Sequence, residues 1–129
     1  MKFFNLFKKK NKKQDDQLLI DVIWQKWIKD DIPSPLFEFM TVVSNLGAGG
    51  HNDFFDFCNE NQKINQCFID TFDFFPEKIR NNILNAKEIY DNTPPSDRND
   101  EFLDEYDDYF YENEGDIEEV IISLYRKIK

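Results

Sequence analysis

The sequence predicts an all-α fold, a single compact domain of six or seven short helices. Three observations carry this expectation. Apolar residues recur at the three- and four-residue spacing of a helix through almost the whole chain. The stripes are separated by the proline and glycine motifs that start and stop helices. No convincing hairpin or βαβ signature and no internal repeat interrupts the pattern. At 129 residues, with 40% hydrophobic and 16% aromatic side chains, the chain can build a real core. That excludes a disordered chain in spite of 33% charged residues.

The first helix is expected over about residues 15 to 30, with Leu19, Val22, Ile23, Trp27 and Ile28 on one face. Ile32-Pro33 ends it. Ser34 followed by Pro35 suits an N-cap and first-turn pair. The second helix carries Phe39, Met40, Val43 and Leu46 and stops at Gly47-Ala48-Gly49-Gly50. A short helix with Phe54, Phe55 and Cys58 follows, then a stripe of Ile64, Cys67, Phe68, Thr71 and Phe72. Pro76 opens the next helix, which turns Ile79, Ile83, Ala86 and Tyr90 inward. Asn92-Thr93-Pro94-Pro95-Ser96 is a rigid break within the domain. Residues 98 to 112 place Phe102, Leu103, Tyr106, Tyr109 and Phe110 at helical spacing. Asp116 with Glu119 suits a capping box for a last helix, whose apolar face is Ile117, Val120, Ile121, Leu124, Tyr125 and Ile128. Arg126, Lys127 and Lys129 sit at its C-terminal end, where the helix dipole favours cations.

Charge divides the chain. The net charge is −10, but residues 1 to 14 hold six Lys and no acid. They read as a basic, flexible N-terminal tail ahead of an acidic domain over 15 to 129. The favoured reading of that tail is solvation. Contact with the acidic face of its own or a neighbouring subunit comes next, and weak binding to a membrane surface last. An acidic domain repels nucleic acid, so no direct nucleic-acid binding is expected, and it attracts basic proteins. Cys58 and Cys67 read as thiols of a reducing compartment rather than a disulfide framework. No apolar run approaches the ~20 residues of a transmembrane segment. The Phe3, Phe4, Leu6, Phe7 patch is too short for a signal-peptide core, so the expectation is cytoplasmic.

Enzyme motifs are missing. The third glycine of a dinucleotide loop would fall at Asn52, so Gly47, Gly49 and Gly50 read as a helix stop. His51 is the only histidine and reads as a turn or packing residue. A calcium loop starting at Asp97, with Asn99 and Glu101 following, fails because its sixth position is Phe102 where glycine is needed. No catalytic residue, metal or cofactor is expected. An enzyme using paired carboxylates stays open as an alternative; it requires two acids converging in a pocket.

The most unusual stretch is Asp97 to Glu119, in which twelve of twenty-three residues are acidic. On a continuous helix, Asp100, Glu101, Asp104, Glu105, Asp107, Asp108 and Glu112 fall mostly outside the aromatic stripe. Seven carboxylates over ~18 Å approach the charge density of one DNA strand, ~3.4 Å per phosphate. Solubility alone would also account for such a face.

The order of three segments adds to this: Gly49-Gly50 followed by Phe54-Phe55, then PEKIRNNILNAKEIYD, then EFLDEYDDYFYENEGDIEEVIISLYRKI. Over about residues 18 to 128 this order resembles a small acidic bacterial family that includes a DNA-mimic protein. His51 stands where the family usually has an aromatic residue, and Asp56-Phe57 where it tends to have asparagine. The resemblance implies an all-α fold that can form a homodimer and a surface that stands in for DNA phosphates. Its residues here would be Asp97, Asp100, Glu101, Asp104, Glu105, Asp107, Asp108 and Glu112. Their partner would be a basic protein such as a transcription factor, a nucleoid protein or a nuclease toxin. In the last case the chain would be an immunity or antitoxin-type protein. Tyr106 and Phe110 are expected to hold the acidic helix to the core.

Overall fold

Prolines and one asparagine set most of the helix boundaries. The computed structural model describes the backbone of residues 6–128 and the side chains of residues 15–128. Among these, six α-helices and no strand are present: α1 Leu6–Ile28, α2 Leu36–Glu60, α3 Gln62–Thr71, α4 Glu77–Asp91, α5 Asp104–Glu112 and α6 Glu114–Ile128. Short 3-10 turns occupy Phe72–Phe74 and Pro95–Asp97. The helices pack as one all-α domain around a shared apolar core.

Helix α1 begins at Leu6, so helical backbone reaches into the stretch expected to be a tail; residues 1 to 5 of that tail lie outside the described residues. Its inward face also differs from expectation. Ile20 and Ile23 are buried, with Leu19, Trp24 and Trp27 packed beside them, while Val22 is 48% and Ile28 65% exposed. Trp27 fixes this rotation. Its indole N–H donates to Thr41 Oγ1 at 3.1 Å, and its ring meets Trp24 edge-on at 5.4 Å and Phe37 at 6.1 Å.

Helix α2 joins the two helices expected on either side of the glycines. It bends at Gly50, whose φ of 82° is left-handed. Ser34 is not its N-cap; α2 starts at Leu36, and the Ser34 hydroxyl donates to Glu38 Oε2 at 2.8 Å. One residue, Asn61, separates α2 from α3, and its side chain caps α3 by accepting from the Ile64 N–H at 3.1 Å. The two helices form a tight hairpin with Phe54 against Phe68, edge-on at 5.1 Å. Helix α4 follows Pro76 and buries Ile79, Ile83, Ala86 and Tyr90, as their spacing predicts. The Arg80 guanidinium donates to the Phe75 carbonyl at 2.5 Å, which ties the preceding turn to the helix.

The last two helices are shorter and earlier than expected, respectively. Helix α5 starts at Asp104 rather than near 98. Helix α6 starts at Glu114, so Asp116 lies in its first turn and pairs with Lys78 at 2.7 Å instead of closing a capping box. Ile117, Ile121, Ile122 and Tyr125 are buried, whereas Ile128 is exposed.

Phenylalanine dominates the core. Phe39, Phe54, Phe55, Phe75 and Phe110 are each at most 1% exposed. Phe75 is the hub: it meets Phe39 at 4.8 Å, Phe72 at 6.4 Å and Phe110 at 6.4 Å, all edge-on. Such pairs contribute about 0.5–1.5 kcal/mol each beyond area burial. Cys58 and Cys67 are both free thiols. Burial pushes the Cys58 thiol up to about 11, which leaves almost no thiolate at neutral pH.

Candidate acidic interface

The acidic segment is held to the body by two seams, and only the second uses one of the acids expected to meet a partner. The first seam is Arg98, the one basic residue between Asp97 and Glu119. Its guanidinium stacks 3.7 Å from the centroid of the Tyr90 ring and donates to the Tyr90 carbonyl at 2.8 Å. It also lies 3.9 Å from Asp56, which accepts a hydrogen bond from the Tyr90 hydroxyl. Asn59 donates to that hydroxyl at 3.0 Å. A guanidinium stacked on an aromatic face with one N–H donated to a carbonyl is a strong local anchor, although the Arg98 Nε is buried without a hydrogen-bond partner among the described residues.

Arg98 explains why residues 98–103 are not helical. The chain turns there instead, with the Asn99 side chain accepting from the Glu101 N–H at 2.9 Å. Leu103 is buried in the left-handed conformation, φ 68°, and its carbonyl accepts from Tyr106 and Asp107 to start α5. Asp97, Asp100 and Glu101 therefore stand on turns ahead of the helix.

The second seam is Asp107. It was expected on the outer face, but its side chain is only 16% exposed and points inward. One carboxylate oxygen accepts from the backbone N–H of His51 at 2.8 Å and lies 2.7 Å from His51 Nδ1. A carboxylate can only accept, so the imidazole proton sits on Nδ1. Because α2 bends at Gly50, His51 opens its second arm, and Asp107 caps that arm from 56 residues away. Gly50 is required for this approach. A Cβ at that position would lie 2.5 Å from the other Asp107 oxygen. His51 is fully buried and meets Phe55 at 5.9 Å and Phe110 edge-on at 6.0 Å. It is a packing residue, as expected, and also the partner that takes Asp107 off the surface.

The other seven expected acids behave differently. Asp97, Asp100, Glu101, Asp104, Glu105, Asp108 and Glu112 are all exposed. Among the described residues none of them forms an ion pair. On α5, at 3.6 residues per turn, Asp104, Glu105, Asp108 and Glu112 share a sector of about 100°. Four carboxylates over eight steps give one per ~3 Å, close to the ~3.4 Å of one DNA strand. Phe110 is buried on the opposite side and Tyr106 half-buried, as the aromatic spacing predicts. Asn82 reinforces the attachment by donating to the Tyr106 carbonyl at 3.0 Å.

Tyr111 reports the local field. Its hydroxyl donates to the Gly47 carbonyl at 3.3 Å. Burial pushes its ionisation up, and the carboxylates of Asp107, Glu114, Asp108 and Asp104 push it further in the same direction. No group of three or more His, Cys, Asp or Glu side chains converges among the described residues as around a metal ion. No described helix is long and apolar enough to cross a membrane. Comparison of the chain with protein families, with curated proteins and with solved structures returns no match.

Proposed function

We propose that the chain is a non-enzymatic interaction protein whose outer acids meet the basic surface of a nucleic-acid-binding protein in place of DNA phosphates. The observation that supports this reading most is the row Asp104, Glu105, Asp108 and Glu112. These acids are exposed, without cations among the described residues, and spaced along one helix face at nearly the pitch of a phosphate backbone. Asp97, Asp100 and Glu101 extend the row onto the adjoining turns. Such a face steers basic partners at long range, and binding through it weakens with salt. Asp107 is left out of the contact set, because its carboxylate is committed to His51.

The experiment is capture of basic proteins from the native cell by the full chain, in low salt and then in ~0.5 M NaCl, where the screening length falls below ~5 Å. A variant carrying Asp104→Asn, Glu105→Gln, Asp108→Asn and Glu112→Gln is run beside it. The reading requires nucleic-acid-binding proteins that elute with salt and that the variant fails to retain. Partners retained equally by the variant would remove the acidic face from the function.

A further inference from the structure

Helix α1 shows apolar side chains on a face that its own fold leaves uncovered. Trp27 sets the rotation that buries Ile20 and Ile23. The same rotation turns Leu18 and Val22 outward, 60% and 48% exposed. At 3.6 residues per turn, Asp15, Leu18, Val22, Gln25 and Lys29 fall within one sector of about 80°, and all five are exposed. Lys29 continues the line of the helix by donating its N–H to the Gln25 carbonyl at 3.2 Å. The steps between the five alternate three and four, the seam spacing of paired helices. Charge changes sign along this seam. Asp15 stands at one end, Lys29 at the other with Lys26 beside it, and Val22 is the midpoint. Neither Asp15 nor Lys29 forms an ion pair among the described residues.

We propose that this seam pairs with the same seam of a second copy of the chain, the two α1 helices running antiparallel about Val22. A face that is acidic at one end and basic at the other complements itself only when reversed. Reversal sets Val22 on Val22 and Asp15 against Lys29 at both ends, an isologous contact. Leu18 then meets Lys26, whose methylene stem covers it while the ammonium stays in water. Parallel pairing would set Asp15 on Asp15 and Lys29 on Lys29, and that repulsion selects the orientation. The same change of sign disfavours other occupants. Asp15 opposes an acidic protein or an anionic lipid surface, and Lys26 and Lys29 oppose a basic protein. From Asp15 to Lys29 the seam runs ~21 Å at helical rise. One helix face of that length falls short of the ~800 Å² per partner of a stable complex, so the dimer forms at high concentration and dissociates on dilution. The α5 acids take no part in it, which makes this inference independent of the acidic-face reading.

The test is sedimentation equilibrium of the full chain from ~10 μM to ~1 mM at ~0.15 M NaCl, where the mean mass should climb from that of one chain towards that of two. Val22→Asp sets two carboxylates at the centre of the seam and should raise the dissociation constant at least ~10-fold. Val22 is half exposed, so helical circular dichroism should not change with it. Asp15→Lys and Lys29→Asp should each weaken the dimer about 3-fold. The double variant should restore it, because exchanging both ends recreates the complementarity. The variant with the four outer α5 acids neutralised should dimerise as the parent does. A chain still monomeric at ~1 mM, or a dimer indifferent to Val22→Asp, would overturn the proposal. A double variant that fails to recover would overturn the antiparallel seam, and loss of the dimer in the α5 variant would overturn it by moving the contact to the acidic face.

Discussion

Asp107 and Asp108 are chemically identical neighbours with opposite roles. Asp107 turns inward, caps the second arm of α2 and holds the ring of His51. Asp108 turns outward into a row of exposed carboxylates. The difference shows that the acidic segment is a two-sided element. Its inner side is fixed by a few specific contacts, which leaves its outer side free to hold like charges close together. The outer repulsion costs stability, and the inner seam offsets it.

The inner side can be broken most severely at Phe110, which is 1% exposed and joins His51, Phe75 and Tyr111. Phe110→Ala is expected to cost about 3–5 kcal/mol in urea unfolding. Gly50→Ala comes next, at about 3 kcal/mol. It combines a left-handed backbone with a Cβ 2.5 Å from the Asp107 oxygen. Pairing it with Asp107→Ala should give a double mutant less destabilised than the sum, because the clash disappears with the carboxylate.

Asp107→Ala alone should cost about 2 kcal/mol, through a lost cap and a buried imidazole N–H without an acceptor. Asp108→Ala should stay within about 0.5 kcal/mol. Thermal melts of the two variants side by side compare the two sides directly. Equal losses would mean that the segment has no inner and outer side.

Two smaller effects follow from ionisation. Tyr90 and Tyr111 are both pushed up, first by burial; after burial, Asp56 raises Tyr90 and the carboxylates around α5 raise Tyr111. Their folded forms hold the proton more tightly than the unfolded chain does. The stability this contributes is fully present below the ordinary phenol value of ~10 and is lost as pH rises beyond it. Chemical unfolding between pH 9 and 11 should therefore show a decline that is shallower in Tyr111→Phe. Glu118 is pushed up by burial and then by Glu114 and Asp21. Its contribution is present below ~4.3 and lost as pH rises, so Glu118→Gln should raise the melting temperature slightly at pH 7.

Most of the fold was legible because helical spacing and helix breakers are local signals. The α4 stripe of Ile79, Ile83, Ala86 and Tyr90 is an example. The face of α1 was misread because apolar residues surround that helix, and the choice among them was made by Trp27 meeting Thr41 and Phe37 on another helix. The outer acids were legible from their offset to Phe102, Tyr106 and Phe110. Asp107 was not, since its partner is 56 residues away and nothing local separates it from Asp108. A signal was available in part: Gly50 before a lone histidine offers a left-handed bend and an uncapped helix start, which need an acceptor from elsewhere. Asn99 also held a warning, because its turn-forming side chain argues against a helix beginning at 98.

The placement of the two tryptophans has a practical consequence. Both lie on α1, in contact with each other, and Trp27 also touches α2. Intrinsic tryptophan emission therefore follows the docking of α1 and says little about α5, whose chromophores are Tyr106, Tyr109 and Tyr111. An unfolding curve recorded by tryptophan fluorescence and another recorded by tyrosine near-ultraviolet dichroism, to which Tyr90 of α4 and Tyr125 of α6 also contribute, would sample different sets of helices. Coincident midpoints would certify one cooperative unit, and separated ones would resolve which part lets go first.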